Sequence, residues 1–385
     1  MMTTNPLLEV QKYGQSIWYD NIRRGVLISG ELRRMVEEGG ILGLTSNPTI
    51  FEKAITQSTD YDEALRRLVV KGTAEIYETM MAEDIRMAAD ILWPVYERTA
   101  GRDGYVSVEV SPDLAYDTAN TVAEARRLWE IIGRSNLMIK VPATPQGLPA
   151  IEQLIGEGLN VNVTLVFALE MYEQVMGAYL GGLEKLLAAG RPADKVASVA
   201  SFFVSRIDTE VDGLLEERLA KAESSAEAAE LRSLPGKAAI ASAKVAYARF
   251  KEVFSRPRFA ALRERGARVQ RPLWASTSTK NPAYSDVLYV EELIGPDTVN
   301  TAPPDTIAAF KDHGVARPTL EGGLDEAREV LRRLAELSIS MEEVTQKLLD
   351  DGVRTFAKSF SSLLRSVSDR QASIREELLR ERHID

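Results

Sequence analysis

Asn160-Val-Asn-Val-Thr-Leu-Val-Phe167, followed at once by the helical stretch Ala168–Ala189, carries the pattern on which the fold turns. Side chains alternate across a strand, so Asn160, Asn162 and Thr164 share one face. Val161, Val163, Leu165 and Phe167 share the other. In a closed barrel one parity faces the axis and the other lies under helices. An inward polar stripe is costly unless its amides are hydrogen-bonded. The stripe reads as a site, with a satisfied core network as the plainer alternative.

Outward from this unit the same strand-then-helix order recurs. The other strand candidates are Ser16–Asp20, Gly40–Thr45, Tyr105–Val110, Leu137–Val141, Val196–Phe203, Pro272–Ser276 and Thr298–Thr301, which with Val161–Val166 make eight. Helical periodicity fills Tyr61–Lys71, Thr73–Arg98, Asp117–Ile132, Pro149–Glu157 and Pro304–His313. Such alternation predicts parallel strands joined by helical crossovers. Eight units predict an α/β fold of the (β/α)8 TIM-barrel kind. An open doubly wound sheet is the alternative, weakened because no early strand is followed by a Gly-rich phosphate turn. Three segments exceed a minimal unit. Asn47–Gly104 holds several helices. Ile207–Arg271 reads as a helical insertion with helices at Val211–Ala222 and Ala226–Phe254, and Gly322–Asp385 as a tail of two or three amphipathic helices. Insertion and tail read as cladding of one barrel domain spanning residues 1–385, with a homodimer contact as the sharper alternative.

Composition narrows the chemistry. The chain has 385 residues, 45% of them hydrophobic, and a formal net charge of −10. An acidic chain is a poor general binder of nucleic acid or anionic membrane, although a few local cations suffice for a phosphate. With no cysteine, disulfides, thiolate nucleophiles and Cys-based zinc sites are excluded. Only His313 and His383 could serve a metal centre or a Ser-His-Asp triad. Met1–Val10 has no basic segment leading into an apolar one, and no run of apolar residues is long enough for a membrane span. A cytoplasmic location is the expectation.

Polar residues recur at the C-terminal ends of the strands, where active sites of this architecture form. Asp20 closes the first strand. Thr45 and Asn47 lie at the end of the second, and Glu109 shares a face with Ser107 in the third. Lys140 interrupts the apolar run Leu137–Val141. A lysine so placed must snorkel, pair with a carboxylate or be neutral. It reads either as a buried pair with Glu109 that serves register or as a desolvated amine able to attack a ketone.

Gly43-Leu-Thr-Ser-Asn-Pro-Thr-Ile50 and Leu137-Met-Ile-Lys-Val-Pro-Ala-Thr144, followed by Gln146 and Gly147, resemble the two signatures of the transaldolase family. Glu109–Asp117, Asn160–Phe167 and Ser201-Phe-Phe-Val-Ser-Arg-Ile-Asp208 resemble its Glu strand, its Asn/Thr strand and its phosphate-binding strand end. The matches run collinearly from about Tyr13 to Thr301, and the length suggests the longer bacterial subtype. The resemblance implies that Lys140 forms an imine with a ketose phosphate and that Asp20 exchanges the C4 hydroxyl proton. It implies that Glu109 and Thr164 handle the water. Thr45, Asn47 and Asn162 would meet sugar hydroxyls, while Ser201, Arg206 and Ser276 would meet the rest of the substrate and its phosphate. Several relatives place a second Arg after the seventh strand's Ser; here Lys280 is the apparent substitute, a point charge rather than a bidentate fork.

Cleavage next to a ketone leaves a carbanion, which an iminium on Lys140 would convert to an enamine without metal or cofactor. Burial would have to lower the amine's pKa against Glu109 and Asp20, or leave those carboxylates one water away. The implied reaction is reversible dihydroxyacetone transfer between sugar phosphates in the pentose phosphate pathway. A Schiff-base fructose-6-phosphate aldolase and a non-catalytic sugar-phosphate-binding barrel are the rivals, and a metal-dependent aldolase lacks its usual His and Cys ligands.

Overall fold

A computed structural model describes residues 5–381. Met1–Thr4 and His383 lie outside the described residues. Eight parallel strands close into a barrel in chain order. They are β1 (Gln15–Asp20), β2 (Ile41–Thr45), β3 (Val106–Glu109), β4 (Leu137–Pro142), β5 (Val161–Val166), β6 (Ser198–Phe203), β7 (Arg271–Ala275) and β8 (Thr298–Ala302). Each sequence-predicted strand is present, shifted by at most two residues at either end. The hydrogen-bonded ring is completed by β1 against β8, with Trp18 beside Thr301.

Alternation sets the interior as predicted. Trp18 is fully buried and faces Gly43 across the β1–β2 pair. A Cβ on Gly43 would come within 2.6 Å of the indole, so only glycine leaves room for that ring inside the barrel. Below it, at the end where the strands begin, Arg271 ties four elements together. One nitrogen of its guanidinium reaches Asp103 Oδ1 and the Arg102 carbonyl, both at 3.0 Å. The other reaches the Ser16 hydroxyl at 2.5 Å and the Thr298 carbonyl at 2.8 Å. Asp103 also accepts from the Trp18 indole at 3.0 Å.

One strand departs from strict alternation. In β5, Leu165 has φ +58°, in the left-handed region that costs a branched side chain energy. The β5–β6 register shifts there, between Val163 and Val166. Leu165 therefore leaves the outer apolar face on which alternation placed it and packs against Gly352, whose missing Cβ would meet it at 2.9 Å.

The segment from Asn47 to Gly104 holds three helices, Pro48–Thr56, Asp62–Leu68 and Thr73–Arg98. Asn47 caps the first, accepting from the Ile50 amide at 3.0 Å, and Pro48 occupies its first position. In the insertion, the expected helix Ala226–Phe254 is two, Ser225–Arg232 and Ala238–Ser255. Pro235 and Gly236 (φ +74°) break it, and hydrophobic periodicity on both sides hides the turn. Helix Ala238–Ser255 packs on the first tail helix, Leu324–Glu336, as cladding. The last helix, Met341–Glu381, is about 60 Å long. It packs along Pro48–Thr56, with Ser359 accepting from Thr49 at 2.9 Å and Arg370 paired with Asp62 at 2.6 Å. From there it passes over the barrel's C-terminal mouth, so the tail does more than clad.

Candidate active site

The mouth opens into a cleft of about 630 Å3. Its walls include Asp20, Thr45, Lys140, Thr164 and Ser201 from β1, β2, β4, β5 and β6, Asn47 just beyond β2, Arg206 from the start of the helix after β6, and Ser276 and Lys280 from the loop after β7. Nine of the eleven residues predicted from sequence are thus brought together; Glu109 and Asn162 lie behind the wall.

Register explains the depth of each. Glu109, Lys140 and Asn162 are neighbours on β3, β4 and β5, at one level, with Thr164 one inward step higher beside Pro142. The Lys140 amine, 5% exposed as a residue, donates to the Ser46 carbonyl at 3.1 Å and lies 3.4 Å from Glu109 Oε2. Glu109 is therefore in contact with the amine and not one water away. A buried pair left otherwise unsupported is weak as a source of stability. Here neither Glu109 Oε2 nor the Thr164 hydroxyl has a hydrogen-bond partner among the described residues, though both are buried. Burial pushes the Glu109 carboxyl above its ordinary range, against the nearby Lys140 charge. Asp20 is pushed up in the same way, opposed by the Thr45 hydroxyl, which donates to it at 2.6 Å, and by Lys140.

Asn162 does not reach the cleft. Its amide nitrogen donates to the Ser107 hydroxyl at 3.0 Å, and its oxygen accepts from Ser201 at 2.7 Å. It holds β3, β5 and β6 at a fixed spacing under the amine. Asn160, at the other end of the polar stripe, spends its side chain on the backbone of its neighbours, donating to the Leu137 carbonyl and accepting from the Ala197 amide. Asn47 uses its oxygen as the helix cap, which leaves its NH2 for the cleft.

Arg206 has none of the ion pairs that an ordinary surface role would require. Asp208 accepts instead from the Ala239 amide and the Tyr289 hydroxyl, both at 2.8 Å, and Glu210 pairs with Lys347 at 2.6 Å. The Arg206 guanidinium lies 5.2 Å from the Phe203 ring and 6.0 Å from Phe356, with no carboxylate partner among the described residues. Burial lowers its pKa, and Glu109 opposes that. Lys280, at the rim, is lowered by burial and then by Arg206 and Lys53. Ser276 sits at φ +56° with its hydroxyl 2.9 Å from that of Ser205, beside the start of the helix that carries Arg206. Arg206 and Lys280, neither in an ion pair among the described residues, suit an anionic group.

Of the wall residues that escaped the sequence reading, four bear most directly on the site. Thr301 closes a chain with Thr45 at 2.6 Å and ends a predicted strand, so the strand-end argument covers it. Phe203 shares parity with Ser201. Thr355 and Phe356 come from the last helix, and the Phe356 ring lies 5.9 Å from the Lys140 amine. An aromatic at helical spacing in an amphipathic tail reads as core, and no local signal separates it from one.

The fold and cleft define a barrel enzyme with a buried amine at its mouth. A family model described as Transaldolase/Fructose-6-phosphate aldolase matches residues 17–367. The chain is 50% identical over 373 residues to a transaldolase of Trichodesmium erythraeum (strain IMS101), covering 96% of this chain and 98% of that one. It is 49% identical over 372 residues to a transaldolase of Thermobifida fusca (strain YX), covering 96% and 99%. This chain belongs to the transaldolase/fructose-6-phosphate aldolase family.

Proposed function

We propose that this protein is a transaldolase that moves a dihydroxyacetone unit from fructose 6-phosphate or sedoheptulose 7-phosphate to an aldose phosphate, glyceraldehyde 3-phosphate or erythrose 4-phosphate. The observation that carries this reading is a buried lysine amine at the floor of a polar cleft whose far side holds an unpaired arginine.

The Lys140 amine attacks the ketose C2, and the carbinolamine loses its oxygen as water. A carboxyl held above its ordinary range is a good acceptor of the proton the amine must lose, and Glu109 touches that amine. Asp20 then takes the C4 hydroxyl proton while the C3–C4 bond breaks. The electron pair flows into the iminium, leaving an enamine on Lys140 and a free aldose phosphate. The acceptor aldehyde enters, C3 of the enamine bonds to its carbonyl carbon, and Asp20 returns the proton to the new hydroxyl. Water restores the C2 carbonyl and the amine. Arg206, with Lys280 and Ser276, binds the phosphate of donor and acceptor in turn. Binding energy far from the reacting carbons then aligns the sugar for cleavage. Thr45 and the free NH2 of Asn47 meet hydroxyls of the three-carbon unit, while Asn162 acts from below by fixing the strands.

Borohydride reduction with fructose 6-phosphate, followed by peptide mapping, tests the nucleophile. The expected result is one adduct, on Lys140, absent in Lys140→Ala. No adduct would leave a binding barrel. Dihydroxyacetone released steadily without an acceptor would make the protein the family's aldolase instead.

A further inference from the structure

Glu109 is absent from the walls of the substrate cleft, although it touches the amine at its floor. It lines a second cavity of about 160 Å3, which shares Asn47 with the cleft. Its inner end is polar, formed by Ser46, Asn47 and Glu109. Its waist is aromatic: the Tyr77 ring stands edge-on between Phe51 and Phe360, at 6.0 and 5.7 Å. The far end reaches exposed Ala74 and the exposed Arg127, which is paired with Glu78 and Glu124 at 2.7 and 2.8 Å.

We propose that this cavity is a rear entry for water and protons to Glu109, separate from the route taken by the sugar. The proposal rests on the Schiff-base reading of Lys140. Both steps at the imine carbon need water to move. In formation, the Nζ–C2 bond forms and the C2–O bond breaks. The oxygen leaves as water with two protons, supplied by the amine and by an acid beside it; hydrolysis is the reverse. A ketose phosphate fills the cleft during both steps, so water passing that way would have to wait for the sugar to leave.

The rear cavity has the size and lining for this traffic. At roughly 30 Å3 per molecule it holds about five waters. A buried oxygen without a partner is costly, and water is the cheapest partner for it. Glu109 Oε2 has only the Lys140 contact at 3.4 Å, and the residue that carries it lines the inner end of the cavity. The Tyr77 hydroxyl makes no hydrogen bond among the described residues. Burial and the nearby Glu109 hold its proton on, so it can donate to water at the waist. The cleft, about 630 Å3, has room for a sugar phosphate, whereas a cavity of about 160 Å3 suits only small molecules.

The experiment follows the loss of 18O from the C2 carbonyl of labelled fructose 6-phosphate into bulk water, without acceptor. Ala74→Trp fills the outer opening from an exposed position, and Tyr77→Phe removes the hydroxyl but keeps the ring. Ala74→Trp is expected to slow the exchange about fivefold and Tyr77→Phe about twofold, with KM and melting temperature unchanged. Unchanged exchange in both variants, with the borohydride adduct still on Lys140, overturns the rear entry alone. A rise in KM that accounts for the slowing also overturns it, since the cavity would then serve sugar binding. Failure of the unaltered protein to form the adduct overturns the reading on which it rests.

Discussion

The two ends of the barrel are built from the same kinds of residue and use them differently. At the end where the strands begin, Arg271, Asp103, Ser16 and Trp18 bond to one another and the Arg271 charge has a carboxylate partner, while Gln15 and Gln270 donate to neighbouring strands but leave their amide oxygens, like Arg271 Nε, without partners among the described residues. At the mouth, among the described residues, the Thr164 hydroxyl has no partner, Glu109 Oε2 has only an ion-pair contact, and Arg206 has aromatic rings beside it but no ion pair. A buried polar group is retained either because its partner is in the protein or because its partner arrives with a ligand. The lower end pairs its buried charge within the protein and holds the cylinder closed. The upper end is left short and waits for substrate and water.

Breaking the lower network should have the largest effect, and on stability alone. Asp103→Ala leaves the Arg271 charge buried and unpaired. It should cost about 3–5 kcal/mol in urea unfolding, while the folded fraction keeps its turnover rate. Next comes a saturated carboxylate at the mouth end. Burial pushes Asp208 up to about 6 from 3.8. Between those values the folded chain keeps a proton that the unfolded chain has lost, so stability falls as pH rises from about 4 to 6, by up to about 3 kcal/mol. Asp208→Asn should flatten that slope in melts across the range and leave kinetics unchanged, although it lies two residues from Arg206. Arg206→Ala should do the opposite. About 2 kcal/mol of binding to phosphorylated donors should vanish, read as a roughly thirtyfold rise in KM, with unphosphorylated fructose little affected and the melting temperature held. Phe356→Ala should be the mildest, about 1 kcal/mol in phosphate binding through loss of the ring beside Arg206. A rise in acceptor-free dihydroxyacetone release should accompany it, and Phe356→Tyr should restore both.

The barrel and the inward polar positions at its strand ends were legible because both follow period-two alternation, while the roles of those residues were implied by the family resemblance. Asp20, Glu109, Lys140 and Thr164 are polar residues on strands whose other face is apolar, and no neighbour in space is needed to notice them. What alternation could not show is where it fails. Leu165 in a left-handed conformation shifts the end of β5, and leucine carries no mark of that geometry. Asn162 shares the stripe with Thr164, yet its bonds to Ser107 and Ser201 bring together residues far apart in sequence. The Asp103–Arg271 pair, joined across 168 positions, is invisible for the same reason. Phe356 is the hardest case, since its meaning depends on where a helix beyond the last strand comes to rest.

That helix is appended after the eighth strand instead of being threaded through a loop of the barrel, and Gly322-Gly323 precede both tail helices. A single protease cut at those glycines, followed by loss of the fragment, would leave all eight strands bonded and the amine, Asp20 and Glu109 where they stand. The aromatic awning would be gone, and with it the helix packed on Ala238–Ser255 and the Arg370–Asp62 pair. Such a clipped protein would still capture a ketose, but its enamine would face the solvent, and a transfer enzyme would have been turned into a leaky one by scissors alone.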